Sequence, residues 1–243
     1  MIKRKLLWNL GIGLVGIFLL LGIYYFYTSG AEVSANGSSV VKAQPDLMSV
    51  YINIDSGILS SAELAQNKVS ETLDKFLVEL SSSGIEEKDI ELSNYQVYPE
   101  YDWASGKQSL RGYRATQQLI INLEVFDRVA LVIDGASNSG ALVSGINYEL
   151  SSVNQNKYKA QALNEASRDA RIKASSIADG FGKNLGRLVS VQSQDFNYYP
   201  YPLYSRTDVS VGNAEAEKAV VSVSSRDLEV SASVSATYTM TKF

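Results

Sequence analysis

The residue types that most often perform catalysis or bind metals are missing from this sequence. Its 243 residues include no histidine and no cysteine. The commonest general base, the commonest zinc ligands and the thiol nucleophile are therefore absent. Glu100 and Asp102 stand two residues apart on a predicted strand, where one face would present both carboxylates to a cation, but isolated pairs of this kind are mostly solvated surface. We expect no catalytic residue, no metal site and no cofactor, and we predict that the protein is not an enzyme.

A loop rich in tyrosine and proline is the most unusual local feature. Tyrosine combines an apolar ring with a polar tip, and proline limits the entropy lost on binding, so such a loop suits contacts with proteins, sugars or lipid headgroups. Two other interpretations remain open: the loop packs on its own domain, or it forms a subunit contact in a homo-oligomer. The residues predicted to contact a partner are Phe196, Tyr198, Tyr199, Tyr201 and Tyr204.

A second group of aromatic residues lies on a predicted β-hairpin. Alternate positions on strands usually mean packing in the core or pairing across strands, so we predict that these rings belong to the core. The residues of this group are Tyr95, Tyr98, Tyr101, Trp103 and Tyr113.

The N-terminal segment has the length and composition of a membrane anchor. Leu6–Tyr27 contains no charged residue, and about 20 apolar residues in a helix span a bilayer. Lys3, Arg4 and Lys5 precede it, which predicts a cytoplasmic N-terminus and an extracytoplasmic C-terminal domain in a single-pass protein, with the lipid bilayer as a partner. The alternative is a signal peptide cleaved near Val33–Ala35, which would leave a secreted or periplasmic protein, although the apolar run is longer than a usual signal core.

The charge of the remaining chain argues against nucleic acid as a partner. Removing the three basic residues before the apolar segment from a total of 22 leaves 19, against 26 acidic residues, which is a net charge of −7. A phosphate backbone would be repelled by this field, and no local basic patch offsets it.

Helix and strand signals follow one another along the C-terminal part. Residues alternate between apolar and polar along Leu47–Ile54, which predicts a half-buried strand. Ser60 and Glu63 have the spacing of a capping box, and the helix that follows ends at Gly84. Its apolar residues recur at helical spacing at Ala65, Val69, Leu73, Phe76 and Leu80.

A long helix from about residue 154 to residue 181 has an unusual stripe of small side chains. Alanine at every fourth position leaves a thin helix face, which can approach a sheet or another helix closely. The stripe consists of Ala162, Ala166, Ala170, Ala174 and Ala178.

The order of elements predicts an α+β fold with a mixed, largely antiparallel sheet, in which two strand–helix–strand–strand units pack with helices. The transmembrane helix precedes this fold. The predicted elements are a strand at 47–54, a helix at about 60–84, strands at 90–98 and 113–125, a helix at about 126–138, a strand at 146–150, a helix at about 154–181, and strands at 188–194 and about 219–238. The predicted divisions are a basic tail at 1–5, the transmembrane helix at 6–27, a tether and first strand at 28–39, and the main domain at 40–243.

A series of short segments has a recognisable order and spacing along the C-terminal part of the chain. The segments are Val33–Gly37, Pro45–Asp46, Gly84–Ile85, Asp89–Ile90, Val97–Tyr101, Arg111–Ala115, Gly145–Leu150 and the alanine-rich helix that ends at Gly182. In these segments the sequence resembles the SIMPL domain of bacterial periplasmic and envelope proteins, over about residues 33–240. The resemblance implies an exported α+β fold, a tendency to form ring-like oligomers, and loose associations with envelope integrity and oxidative stress. It supplies no catalytic residue, because the family has no established reaction.

Three functions are consistent with these features. The first is a membrane-anchored, non-catalytic, homo-oligomeric structural or interaction protein of the cell envelope. The family resemblance links such a protein to envelope or oxidative stress. The second is a module that binds a glycan or a peptide through the loop at 196–204. The third is an enzyme that uses only carboxylate, tyrosine, lysine or serine side chains, which would require a pocket with perturbed pKa values.

Overall fold

The computed structural model describes residues 31–104, 107–193, 196–205 and 227–241. These residues form strands and helices, and some successive strands form hairpins whereas others are separated by a helix. The elements are β1 (Glu32–Ala43), β2 (Leu47–Asp55), α1 (Ala62–Ser82), β3 (Ile90–Ala104), β4 (Lys107–Leu123), α2 (Val129–Ser139), β5 (Leu142–Glu149), α3 (Ser152–Gly180), β6 (Asn184–Ser193), β7 (Asn197–Tyr198), β8 (Tyr201–Ser205) and β9 (Leu228–Thr241).

By their contacts, the residues group into two compact units. One unit comprises the described parts of residues 1–40, 159–197 and 231–243. The other comprises the described parts of residues 41–158 and 198–230. The predicted division at 28–39 and 40–243 stays a prediction, and the segments at 1–5 and 6–27 lie outside the described residues.

The larger unit is built on a five-stranded sheet in the order β3-β4-β2-β5-β8. All four pairings are antiparallel. The central strand β2 places Val50 opposite Ile121 of β4 and Ile146 of β5. Since successive side chains of a strand point to opposite faces, the predicted alternation of Leu47–Ile54 directs every second residue of β2 into the core.

Helices α1 and α2 pack against each other and cover one face of this sheet. The Ser61 hydroxyl accepts a hydrogen bond from the Leu64 N–H at 3.2 Å and so caps α1. The predicted apolar stripe is confirmed at Ala65, Val69, Phe76 and Leu80, all of which are buried. The helix ends where the Ile85 N–H donates to the Leu80 carbonyl across Gly84, whose φ of 75° suits glycine.

The other unit contains parts of α3 and of a sheet in the order β1-β9-β6, with β7 also paired to β9. The predicted alanine stripe of α3 is confirmed, because all five alanines are fully buried. Gly37 of β1 lies so close to α3 that a Cβ on it would overlap the backbone of Ala166 and Ala170. The thin helix face and the glycine together allow strand and helix to approach at backbone distance.

The predicted fold class is right about the α+β architecture and wrong about the membrane-spanning helix. The membrane-spanning helix is withdrawn: residues 6–27 lie outside the described part of the chain, and none of the helices in the described part has the length and apolar character to cross a bilayer. The strands of the second strand–helix–strand–strand unit are divided between two sheets, because β5 belongs to the five-stranded sheet whereas β6 and β9 belong to the other sheet.

Candidate functional site

Strands β3 and β4 continue beyond the end of β2, which is the other neighbour of β4 in the sheet. Strand β2 pairs with β4 only from Thr116 to Leu123, whereas β3 pairs with β4 along its whole length, as far as Ala104 and Lys107. Residues 98–104 and 107–112 therefore form a two-stranded ribbon, which we call the hairpin arm. The sequence predicted the hairpin but began its second strand at residue 113, so the arm was missed.

The hairpin arm exposes its side chains on both faces. Residues 101–103 and 107–111 are all exposed, including Tyr101, Trp103 at 71 % and Leu110. The core location predicted for the aromatic group is therefore wrong for Tyr95, Tyr98, Tyr101 and Trp103, all of which are exposed. An isolated two-stranded ribbon is only marginally stable in water, and exposed aromatic residues are enriched where proteins contact partners.

The base of the arm is fastened to the sheet by the loop between β2 and α1. Leu59 and Tyr113 exchange two backbone hydrogen bonds, with N···O distances of 2.8 and 2.7 Å. Gly112 makes this approach possible, because a Cβ at this position would overlap the Leu59 carbonyl and the Ile58 side chain.

A charged clasp holds three strands together at the same place. Arg114 of β4 donates to the Asp55 carboxylate of β2 at 2.6 Å and to the Glu100 carboxylate of β3 at 2.9 Å. Burial disfavours the guanidinium charge, but the hydrogen bond and charge of Asp55, with the charge of Glu100, outweigh it and raise the pKa of Arg114. The three side chains are between 20 and 31 % exposed, so solvent screens this clasp less than a surface ion pair.

The tyrosine- and proline-rich segment has a different environment. Residues 201–205 form β8, which pairs with the edge of β5, with Tyr201 opposite Tyr148 and Tyr204 opposite Ile146. The Tyr204 hydroxyl is buried and has no hydrogen-bond partner among the described residues. The interpretation that this segment packs on its own domain is the one that fits these tyrosines.

Tyr198 is held by a backbone group. The Leu150 N–H donates to its phenol oxygen at 2.8 Å. Burial raises the pKa of Tyr198 to about 12, and the negative charges of Glu149 and Asp46 act in the same direction, while the Leu150 hydrogen bond opposes them.

The two remaining residues of the predicted contact set differ in exposure. Lys159 Nζ lies 4.7 Å from the centre of the Phe196 ring, a cation–π contact within one unit. Tyr199 is 76 % exposed. Of the five predicted residues, Tyr199 is the one whose ring is most available to a partner, and partner contact by this set stays a prediction.

The carboxylate of Asp46 caps the start of α3. It accepts hydrogen bonds from the Ser151 N–H at 2.8 Å, the Ser151 hydroxyl at 2.6 Å and the Asn154 amide at 2.7 Å. Burial alone would raise the pKa of Asp46, but these donors favour the charged form and lower it. Asp46 therefore has a structural role at the start of α3.

Comparison with known proteins identifies the family. Residues 33–238 match the SIMPL family, which is described as a protein of unknown function (DUF541). The chain belongs to the SIMPL family. Within that family, it is similar to an uncharacterized protein YggE from Edwardsiella ictaluri, with 30 % identity over 71 % of this chain and 72 % of the relative.

Two further relatives extend the range of organisms. YggE of Escherichia coli K12, also named as uncharacterized, is 29 % identical over 72 % of this chain and 70 % of its own length. A 26 kDa periplasmic immunogenic protein of Brucella melitensis is 24 % identical over 72 % of both chains. The SIMPL resemblance inferred from the sequence is thereby confirmed.

The sequence segments that resemble the SIMPL domain include the base of the hairpin arm. The run Arg111–Ala115 contains both Gly112 and Arg114, whose roles sequence reasoning missed. Their partners Leu59, Asp55 and Glu100 come from three other segments, so the motif alone does not reveal the clasp. One usable signal in the sequence was the unequal length of the predicted strands, since the strand at 47–54 is too short to accompany the whole strand at 113–125.

No group of three or more potential metal-ligating side chains occurs in the part of the SIMPL domain that the structure describes. Glu100, one of the two carboxylates considered for a cation, is instead paired with Arg114. The absence of catalytic, metal and cofactor sites remains a prediction.

Proposed function

We propose that this SIMPL-family chain is a non-catalytic protein that acts outside the cytoplasm by binding protein surfaces, and that it assembles with copies of itself through the hairpin arm. The observation that supports this proposal is the exposure of Tyr101, Trp103 and Leu110 on a ribbon that extends beyond its sheet. Burying these three side chains against a second copy would remove apolar surface from water and stabilise the ribbon.

Location outside the cytoplasm is supported by the Brucella relative, whose name describes a periplasmic protein. By similarity to this relative, the location that we propose is the periplasm. The links to envelope integrity and oxidative stress implied by the family resemblance stay predictions. Binding of a glycan or a peptide through residues 196–204 also stays a prediction, supported by the exposure of Tyr199.

A binding role is further supported by the contacts of three of the described carboxylates. Asp46 caps a helix, and Asp55 and Glu100 neutralise Arg114. General acid–base catalysis needs a carboxyl group free to exchange a proton with a substrate. These three groups are engaged in contacts that hold the fold together.

The test of self-association is size-exclusion chromatography with light scattering on the purified chain, at concentrations from about 1 to about 100 µM. We expect a mass above that of one copy, which falls towards that of one copy on dilution. A double variant, Tyr101→Ser with Trp103→Ser, should weaken association at least ~tenfold, because exposed aromatic anchors carry most of the binding energy of an interface.

The matched control is Val78→Ser, which removes an exposed apolar side chain from α1 outside the arm. It should leave the association unchanged. A chain that remains a single copy at the highest concentration would refute self-association. Association that the double variant leaves intact would remove the arm from the proposal.

A further inference from the structure

A groove lies between the edge strand β3 and the C-terminal half of α1. Strand β3 is the first strand of the five-stranded sheet, and among the described residues its outer edge pairs with no other strand. A cavity of about 680 Å³ lies beside its first residue, with Leu77, Ile85 and Ile90 among its apolar lining residues. This volume is within the range of small-ligand and side-chain pockets.

The apolar surface of the groove continues along β3. Leu92 and Tyr95 lie opposite Leu119 and Gln117, and these two β4 residues are buried on the face that the helices cover. Residues directly opposite each other in an antiparallel ladder point to the same face. Leu92 and Tyr95 nevertheless are 60 and 49 % exposed, which means that α1 covers β4 but leaves the edge strand open.

The end of the groove favours positive charge. Helix α1 ends at the cavity and has no basic residue in its last turn. Arg128 supplies a cation at this end, because its guanidinium donates to the Gly84 carbonyl at 3.1 Å. Glu86 and Glu87 also line the cavity. Glu86 pairs with Lys88 at 2.8 Å, whereas no salt bridge of Glu87 occurs among the described residues.

We propose that this groove binds an extended, basic and apolar segment of a partner protein, which adds to β3 as a further strand. Backbone hydrogen bonds to an edge strand give such a segment affinity, and pockets for alternate side chains give it specificity. Its apolar side chains would occupy the cavity and the surface of Leu92 and Tyr95. A basic residue would face Glu87. The acidic chain, with a net charge of −4, disfavours a second copy as the occupant.

The test uses the full-length chain and two fluorescein-labelled octapeptides, one of alternating lysine and valine and one of alternating glutamate and valine. Fluorescence anisotropy should report saturable binding of the lysine peptide and at least ~tenfold weaker binding of the glutamate peptide. Hydrogen exchange of the amides between Ile90 and Val97 should slow when the lysine peptide binds, because added strand pairing protects them.

Two variants, each with a control, distinguish binding in the groove from general attraction of a basic peptide to an acidic protein. Ser81 is exposed and lines the cavity, so Ser81→Trp should fill the cavity and weaken binding of the lysine peptide at least ~tenfold. The control Ser70→Trp is exposed on the same helix, about 16 Å away along its axis, and should leave affinity unchanged. Glu87→Lys should also weaken binding, while Glu229→Lys, an equal change of charge at another exposed position, should not.

Three results would overturn the proposal. Equal binding of the two peptides would mean that charge plays no part. Unchanged affinity in Ser81→Trp would place the peptide elsewhere. Failure of the lysine peptide to bind, together with a lower molecular mass of Ser81→Trp than of the unmodified chain in light scattering, would identify a second copy as the occupant.

Discussion

The hairpin arm and the segment at β8 are both rich in aromatic residues, but they have different neighbours. In β8, Tyr201 and Tyr204 lie along the open edge of β5, which supplies hydrogen bonds to their backbone. The arm extends past the end of β2, so no third strand is available for residues 98–104 and 107–112 in the described part of the chain. The availability of a strand edge, rather than the composition of the segment, decides which rings are covered.

The two regions are also held in place by different contacts. The β8 region is held by strand pairing and by the bond from the Leu150 N–H to the Tyr198 phenol. The arm is held at its base, by the clasp on Arg114 and by the close approach of Gly112 to Leu59. Variants at these positions should therefore affect the two regions by different amounts.

The largest effect is expected from Gly112→Val. A valine side chain would overlap the Leu59 carbonyl, and the φ of 156° at this position is unfavourable for a β-branched residue. We expect the free energy of unfolding to fall by about 3 kcal/mol, measured by urea denaturation. Gly180→Ala is the control, because a Cβ at residue 180 meets no atom within 4 Å. An equal loss in both variants would show that the base of the arm is not closely packed.

Arg114→Met should have the next largest effect. The substitution keeps the aliphatic stem but leaves Asp55 and Glu100 without their shared cation. We expect a loss of about 2 kcal/mol in the free energy of unfolding. Lys75→Met removes an exposed helical ion pair with Glu71 and should cost only about 0.3 kcal/mol. Similar losses in the two variants would mean that the clasp is no stronger than a surface pair.

Local patterns predicted most elements of this fold, but not β7 and β8, which lie in a segment predicted as a loop. They also did not predict the relations between distant segments. The stripe from Ala65 to Leu80 and the alanines of α3 gave both helices, because each helix buries a face set by its own spacing. An exposed strand and a buried edge strand have similar alternation, so the sequence of β3 did not indicate that the arm lacks a covering layer. Arg114 and Asp55 are brought together by sheet order, which no local pattern encodes.

Tyr198→Phe tests the attachment of the β8 region. Removing the phenol oxygen leaves the Leu150 N–H without its partner in a buried position, which should cost about 1 to 2 kcal/mol at neutral pH. Urea denaturation would measure the loss. Tyr199→Phe, at an exposed ring, is the control and should cause no change. A loss in both variants alike would contradict the role given to the Leu150 bond.

The same residue predicts how stability depends on pH. Burial raises the pKa of Tyr198 to about 12 in the folded chain, from the ordinary tyrosine value of 10.0. The folded state therefore holds the phenol proton more tightly, and this contribution to stability is complete below pH 10 and is lost as the pH rises towards 12. The unmodified chain should lose up to about 2 kcal/mol more than Tyr198→Phe across this window. Parallel pH profiles would contradict the burial of the phenol.

The smallest effect, and the one of opposite sign, is expected from Tyr204→Phe. The Tyr204 hydroxyl is buried with no hydrogen-bond partner among the described residues, so the folded state bears the cost of removing it from water without a compensating bond. Its removal should leave stability unchanged or raise it by about 1 kcal/mol. Tyr198→Phe and Tyr204→Phe delete the same atom from neighbouring positions, so opposite signs would establish that hydrogen bonding, rather than ring burial, distinguishes the two tyrosines. A clear loss in Tyr204→Phe would instead indicate that its hydroxyl has a partner.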